Sequence, residues 1–309
     1  MSLFHRSLIL VMLVFPGLAM AIDAMPAESP DDGPASMISP LDDVSWDVDQ
    51  LSLSQGTSQG TSGPRLDTFD PLEADRPDFT ESPSTVGLGR LQIEGGWTYL
   101  HDRSAGIDAN LHSLPELLLR YGVTERIEFR LSWLGYLNYR DRDIQTGEIY
   151  SFDGSSDLWI GCKLQITDES GWQPRSALIA SVKAPIGVSE WTSHGSDTIL
   201  NYNYGWGITD KLSLAGSTGT WWTQFEGDHY AVMHQSAVVG LGITERLGCY
   251  LEWFGLFFHG TDDVRPDHYL DGGFTYLVTE DFQLDWRLGV GLNESADDLF
   301  TGIGFAVRR

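Results

Sequence analysis

The chain has 309 residues, with 44 acidic side chains against 19 lysines and arginines, a formal net charge of -25 and only 2 cysteines. So large a negative excess excludes nucleic acid as a natural partner, and two cysteines, Cys162 and Cys249, cannot build a disulfide framework. The 34 glycines, 11 tryptophans, 11 tyrosines and 14 phenylalanines suit strands, tight turns and aromatic girdles.

The N-terminus reads as an export signal over residues 1–21: His5 and Arg6, an apolar run from Leu8 to Phe15, a Pro16-Gly17 break and the small-x-small site Ala19-Met20-Ala21. That run is too short to span a bilayer, and nothing after it approaches about 18 unbroken apolar residues, so membrane insertion has to be by strands. Residues 22–74 are rich in Pro, Ser, Asp, Gly and Gln, with the near-repeat Ser54-Gln55-Gly56-Thr57-Ser58-Gln59-Gly60-Thr61. They are expected to form a disordered acidic periplasmic arm, with a short helix at Leu41–Leu53. Residues 75–88 lead into the first strand and are expected to plug or line an entry, with Asp75, Arg76, Asp78 and Phe79 as the candidates.

From there a short phrase sets the rhythm. Gly122-Val123-Thr124-Glu125-Arg126 returns as Gly207-Ile208-Thr209-Asp210-Lys211 and Gly242-Ile243-Thr244-Glu245-Arg246, with looser copies at Thr167 and Thr279. The spacing from Thr124 through Thr167, Thr209 and Thr244 to Thr279 is 43, 42, 35 and 35 residues. One period holds two strands of about ten residues, a tight turn and a longer loop. Alternation supports this: Ile127, Phe129, Leu131, Trp133, Leu137 and Tyr139 share one oily face, against Glu128, Arg130, Ser132, Leu134, Tyr136 and Asn138. Likewise Phe282, Leu284, Trp286, Leu288 and Val290 oppose Gln283, Asp285 and Arg287.

Twelve segments follow: 89–101, 112–123, 126–139, 156–166, 175–185, 197–208, 211–222, 231–243, 247–259, 268–278, 281–292 and 298–308. They exceed the roughly 5–6 residues usual for soluble strands and match the about 9–11 of a tilted transmembrane strand. The fold expected over residues 89–309 is therefore an all-β, closed antiparallel transmembrane β-barrel of about twelve strands. Its tight turns would face the periplasm, and loops at 102–111, 140–155, 186–196, 223–230, 260–267 and 293–297 would face outward. Arg140-Asp141-Arg142-Asp143 reads as a charged loop base.

The stretch Ala74-Asp75-Arg76-Pro77-Asp78-Phe79-Thr80-Glu81-Ser82-Pro83, followed by Gly89-Arg90-Leu91-Gln92-Ile93-Glu94, resembles the outer-membrane β-barrel family named after the meta pathway of phenol degradation. Its members open with an Asp-Arg-Pro-Asp phrase and a Gly-x-x-Gln-x-Glu first strand, and close with a glycine-rich strand after paired aspartates. Asp297-Asp298-Leu299-Phe300-Thr301-Gly302-Ile303-Gly304 is similar to that ending. The resemblance covers roughly Asp75 to Arg309 and implies an outer-membrane channel or transporter for small organic solutes, aromatic ones among them, inserted by the barrel assembly machinery. Such barrels commonly finish on an aromatic residue, whereas this chain finishes Phe305-Ala306-Val307-Arg308-Arg309.

With the apolar face in the lipid bilayer, the inward face would carry Glu94, Glu116, Arg120, Glu128, Arg130, Asp157, Lys163, Lys183, Glu252, Asp271, Asp285 and Arg287, a mixed and slightly acidic lumen. These charges either pair to brace the wall or set an ion preference. Tyr136, Trp159, Trp221, Tyr250, Phe254 and Phe258 interrupt the same face. No cofactor or metal site is expected: His101, His112, His194, His229, His259 and His268 flank outward loops without ligand spacing. No Gly-x-Ser-x-Gly elbow or Ser-His-acid spacing points to an enzyme. Passive diffusion of small solutes is the first functional reading; a structural or surface-interaction barrel with a closed lumen and a secreted soluble β-protein are the alternatives.

Overall fold

The computed structural model describes residues 72–225, 228–260 and 264–309. The export signal, the acidic arm up to residue 71 and the helix expected at Leu41–Leu53 lie outside the described residues. Fourteen strands form one antiparallel sheet: β1 (Leu91–Ser104), β2 (Ile107–Gly122), β3 (Ile127–Trp133), β4 (Tyr136–Asp143), β5 (Ile149–Ser155), β6 (Leu158–Thr167), β7 (Arg175–Ala184), β8 (Thr198–Gly207), β9 (Leu212–Phe225), β10 (Asp228–Gly242), β11 (Leu247–His259), β12 (Asp267–Thr279), β13 (Phe282–Gly291) and β14 (Leu299–Arg308). The last strand returns to the first, with Gln92 opposite Arg308 and His101 opposite Leu299, and β1 also pairs with β2, so the sheet closes, while β5, paired with β4 alone, keeps one free side. β2 carries both β3 and β4 on one side, and β6 and β5 pair with those same two pieces. β3–β4 and β5–β6 are thus single staves interrupted midway, and the barrel has twelve staves. A closed single sheet sets aside the two-layered soluble alternative.

The outer surface is apolar because every second residue is: Ile127, Phe129, Ile160, Leu164, Leu214, Val239, Leu251, Leu284, Trp286, Leu288 and Ile303 are all exposed. A closed ladder satisfies every main-chain polar group internally, which is what a hydrocarbon surround demands. The tight turns repeat one geometry. At Thr124 the hydroxyl accepts from the backbone N–H of Arg126 (3.2 Å) and Ile127 (2.9 Å). Thr209 does the same for Lys211 and Leu212, and Thr244 for Arg246 and Leu247. Thr279 accepts only from Asp281, at 3.3 Å. This is why threonine recurs at these four positions: its oxygen serves the turn donors that the ladder leaves over. Replacing Thr124, Thr209 or Thr244 by alanine should each cost about 1 kcal/mol in urea unfolding of the lipid-reconstituted protein, and Thr279→Ala should cost less.

Three expected loops are strands. β1 and β2 run on through 102–111 and reverse over Ala105-Gly106, whose φ values of 53° and 88° suit a two-residue turn. β4 and β5 occupy most of 140–155, so Arg140-Asp141-Arg142-Asp143 belongs to a strand in which Asp141 is buried. β9 and β10 fill most of 223–230. In 107–111 the apolar residues Ala109 and Leu111 are buried and the outward positions are polar, so the outward oily face that marks the other strands is missing there.

A second correction concerns phase. Leu137 and Tyr139, expected outward, are 1% and 2% exposed, while Tyr136, expected inward, is 50% exposed. The cause is Gly135 at φ 89°, a conformation natural to glycine alone, which shifts the alternation by one residue above the break. Pro115, on β2 opposite this break, has no N–H to give to the ladder. The wider loops also fold inward: Trp191, in the helical turn Ser189–Trp191, is buried against Phe152 at 4.5 Å, and Ala296 and Asp297 are buried too.

Candidate functional site

Residues 72–90 form no strand and run through the barrel as a strap. Without a ladder, the strap's backbone groups need other partners, and wall side chains supply them. Glu94 on β1 accepts from the N–H of Asp75 (2.9 Å) and of Arg76 (3.1 Å). Glu252 on β11 accepts from the N–H of Phe79 (2.6 Å) and Thr80 (2.9 Å), and Glu128 on β3 from that of Val86 (3.0 Å). Wall cations take the carbonyls: Arg120 donates to Ser84 (3.0 Å), Lys163 to Ser82 (2.8 Å) and Arg287 to Pro77 (3.1 Å).

Asp75 is the hub of the side-chain network. Lys163 lies 2.9 Å from its carboxylate, Arg120 at 3.3 Å, and Arg130 bonds it directly. Arg130 also holds Glu81 and Glu128, and Arg120 joins Glu128 (2.8 Å) to Glu94 (3.0 Å). Arg76 pairs with Glu116 at 2.5 Å and faces Asp285 at 3.5 Å. Burial alone would raise the Asp75 carboxyl, but Arg120, Lys163 and Arg130 outweigh it and hold the group well below the usual carboxylate range. Asp78 goes the other way: burial and the neighbouring Asp271 push its carboxyl well up. For Arg76, Glu116 and Asp285 more than offset the burial cost and raise the guanidinium.

Phe79 anchors the middle of the strap, stacked on Phe254 at 4.4 Å and 6° and edge-on to His234 at 5.3 Å. Arg76 lies over two facing glycines, Gly96 on β1 and Gly304 on β14, where a Cβ at either position would collide with its guanidinium. This close approach is what the glycines permit. Gly304→Val should expel Arg76 from its slot and loosen the strap, increasing chymotrypsin cleavage after Phe79 at least several-fold relative to the parent protein.

All twelve charged residues expected on the inner face are buried. Ten of them meet the strap or its ion network: Glu94, Glu116, Arg120, Glu128, Arg130, Lys163, Glu252, Asp271 beside Asp78, Asp285 and Arg287. Asp157 and Lys183 lie elsewhere, 3.1 Å apart, with Asp197 2.5 Å from Lys183 and the N–H of Gly187 bonded to Asp157, so they pin the 185–197 loop. Asp271 accepts from Tyr250 at 2.9 Å. Of the candidate aromatics, Trp159, Trp221 and Phe254 are buried. Sequence reasoning missed Thr80, Glu81, Asn201 and His234. Asn201 and His234 carried a usable signal, since each alternates with outward apolar neighbours on β8 and β10.

Two cavities flank the strap. One, of about 180 Å³, lies between it and the wall; the other, of about 560 Å³, opens toward the tight turns at Thr209–Lys211 and Gly242. Both are lined by Arg76, Pro77, Asp78 and Glu81 of the strap. Among the described residues no group of three or more His, Cys, Asp or Glu is placed to hold a metal ion.

A family model described as "Putative MetA-pathway of phenol degradation" matches residues 74–308. No curated protein matches the sequence. Among solved structures, the chain is similar to the NanC porin (10% identity, TM-score 0.45, covering 70% of this chain and 98% of that one). It is also similar to the translocator domain of the autotransporter NalP from Neisseria meningitidis (9%, 0.49, 72% and 88%) and to the CymD monoaromatic hydrocarbon channel (10%, 0.39, 73% and 91%).

Proposed function

Since the chain belongs to the family described as the "Putative MetA-pathway of phenol degradation", we propose that it is an outer-membrane channel through which small organic solutes diffuse past the 72–90 strap. The observation that carries this reading is that the strap parts two cavities, with Arg76, Pro77, Asp78 and Glu81 lining both of them. In this reading Asp75, Arg76, Asp78 and Phe79 form the plug, and the paired wall charges hold it in place. The proposed diffusion needs no cofactor and no covalent step. A closed-lumen structural barrel is the second reading, favoured by the Phe254, Tyr269 and Phe300 cluster, whose rings lie 4.7 to 6.2 Å apart on the inner face of β11, β12 and β14.

Planar-bilayer recording separates the two. The full chain should give small openings, and removal of residues 22–88 should enlarge them several-fold. If the shortened chain inserts and stays silent, with no solute-dependent swelling of liposomes, the barrel is solid and the channel reading fails.

A further inference from the structure

Inside the barrel, buried apolar side chains of β1, β2, β4, β6, β8, β9, β10, β11, β12 and β14 join into one cluster. Two of its buried members, Trp191 and Ala296, stand on loops instead. A strand-borne member is held by its ladder; Trp191 is held by the 185–197 loop. That loop lies on the free side of β5, where the Val188 N–H donates to the Ser155 carbonyl at 3.0 Å and the Gly187 N–H to the Asp157 carboxylate at 2.8 Å. The fit is close: a Cβ on Gly154 would fall 2.3 Å from Val188 Cγ2. Past this contact the chain turns inward, and the Trp191 ring, 0% exposed, meets Phe152 at 4.5 Å and Tyr139 at 6.5 Å. These three side chains line neither cavity beside the strap.

The Trp191 indole N–H has no hydrogen-bond partner among the described residues, a cost that the buried position carries and a hydrated one does not. Ions at the root of the loop hold the closed position instead. Lys183, at the end of β7, lies 2.5 Å from Asp197 and 3.1 Å from Asp157. It also donates to the Ser193 hydroxyl within the loop, which in turn donates to Asp197 at 3.0 Å. All three charged groups are buried. One ammonium thus neutralises two carboxylates, one on each flank of the loop, and without it both would have to reach water.

We infer that the 185–197 loop is a latched lid over the loop end of the lumen, with Trp191 as its stopper and Lys183 as its latch. Closed, it completes an apolar constriction, and such constrictions gate by excluding water. Lifted away from β5, it gives up the Val188–Ser155 bond, whereas moving a strand-borne member of the cluster would break a ladder. Its role rests on the channel reading, in which it is a second gate in series with the strap. The lid then sets how often the pore opens, and the strap sets how large each opening is.

The test uses the full chain with Cys162 and Cys249 replaced by serine. Thr192→Cys, next to Trp191 and 3% exposed, reports the position of the lid. Adding Lys183→Met, with unchanged circular dichroism, should speed its labelling by a membrane-impermeant maleimide at least tenfold and leave chymotryptic cleavage after Phe79 unaltered. Trp191→Ala should raise the open fraction in planar bilayers at least fivefold without changing the current of each opening, and Trp191→Phe should stay near the parent. In Gly154→Cys with Val188→Cys the two Cβ atoms would stand 3.2 Å apart, near the disulfide range of about 3.5–4.5 Å. Oxidation of that pair should silence the channel, and reduction should restore it. Openings that ignore this disulfide, or labelling that ignores Lys183→Met, would overturn the lid. Accelerated labelling in a barrel that opens in none of these variants would reject the channel and keep the lid.

Discussion

Asp75→Ala should loosen the strap by about 3–5 kcal/mol, the cost typical of removing one partner from a buried ion pair. The effect is large because three cations depend on one carboxylate: Arg120, Arg130 and Lys163, each 6% exposed or less at the side chain. Once Asp75 is gone, Glu94 and Glu128 still serve Arg120, and Glu81 and Glu128 still serve Arg130. Lys163 keeps only carbonyl partners among its hydrogen bonds, those of Ser82 and Ser84. It is therefore the side chain that most needs to reach water, and the route to water is through the strap. Chymotryptic cleavage after Phe79 should rise sharply, and conductance in planar bilayers should approach that of the strapless chain. Asp210→Ala, on an exposed tight turn, should change neither.

Acidification is expected to tighten the strap before it releases it. Asp78 is raised in the folded state by burial and by Asp271. Its contribution to stability is therefore fully present below the unfolded carboxylate value of about 3.9 and is lost as pH rises through the folded value. Asp75 is depressed in the folded state by Arg120, Lys163 and Arg130. Its contribution is present above about 3.9 and is lost as pH falls through its own, lower folded value. Between pH 8 and pH 5 only the first of these changes, so protease resistance of the strap should increase and conductance should fall on moving to pH 5. Below the unfolded carboxylate value of about 3.9 the Asp75 contribution starts to be lost and the order reverses. Each pH unit over which Asp78 differs from its unfolded value contributes about 1.4 kcal/mol. Asp78→Asn should flatten the response between pH 5 and 8; a slope equal to the parent's would assign it to Glu252, Asp271 or another group facing the strap.

What the sequence made legible is set by strict periodicities. Charges alternating with lipid-facing apolar residues on β3 and β13 can be satisfied only inside a closed wall, and the repeated threonine marks a turn that its own hydroxyl completes. The Asp-Arg-Pro-Asp phrase was legible as a lead-in because it alternates with nothing. The break at Gly135 was not, since one glycine in a strand-like run leaves the composition unchanged while moving every later side chain to the other face. The extended hairpins around Ala105-Gly106 and at 140–155 escaped because strands that project beyond the bilayer lose their oily face. The meeting of Phe79 with Phe254 and His234 joins residues more than 150 positions apart, which no local pattern encodes.

In the proposed channel the strap sits inside the barrel and limits passage. Thr80 Oγ1 and Ser236 Oγ are 2.5 Å apart, so cysteines at both positions, with Cys162 and Cys249 replaced by serine, should form a disulfide across the strap–wall contact. Single-channel recording of this protein should show conductance at the parent's low level when oxidised and several-fold larger openings on reduction in mild urea. Equal conductance in the two redox states, with the disulfide verified by mass spectrometry, would contradict a strap that gates the lumen.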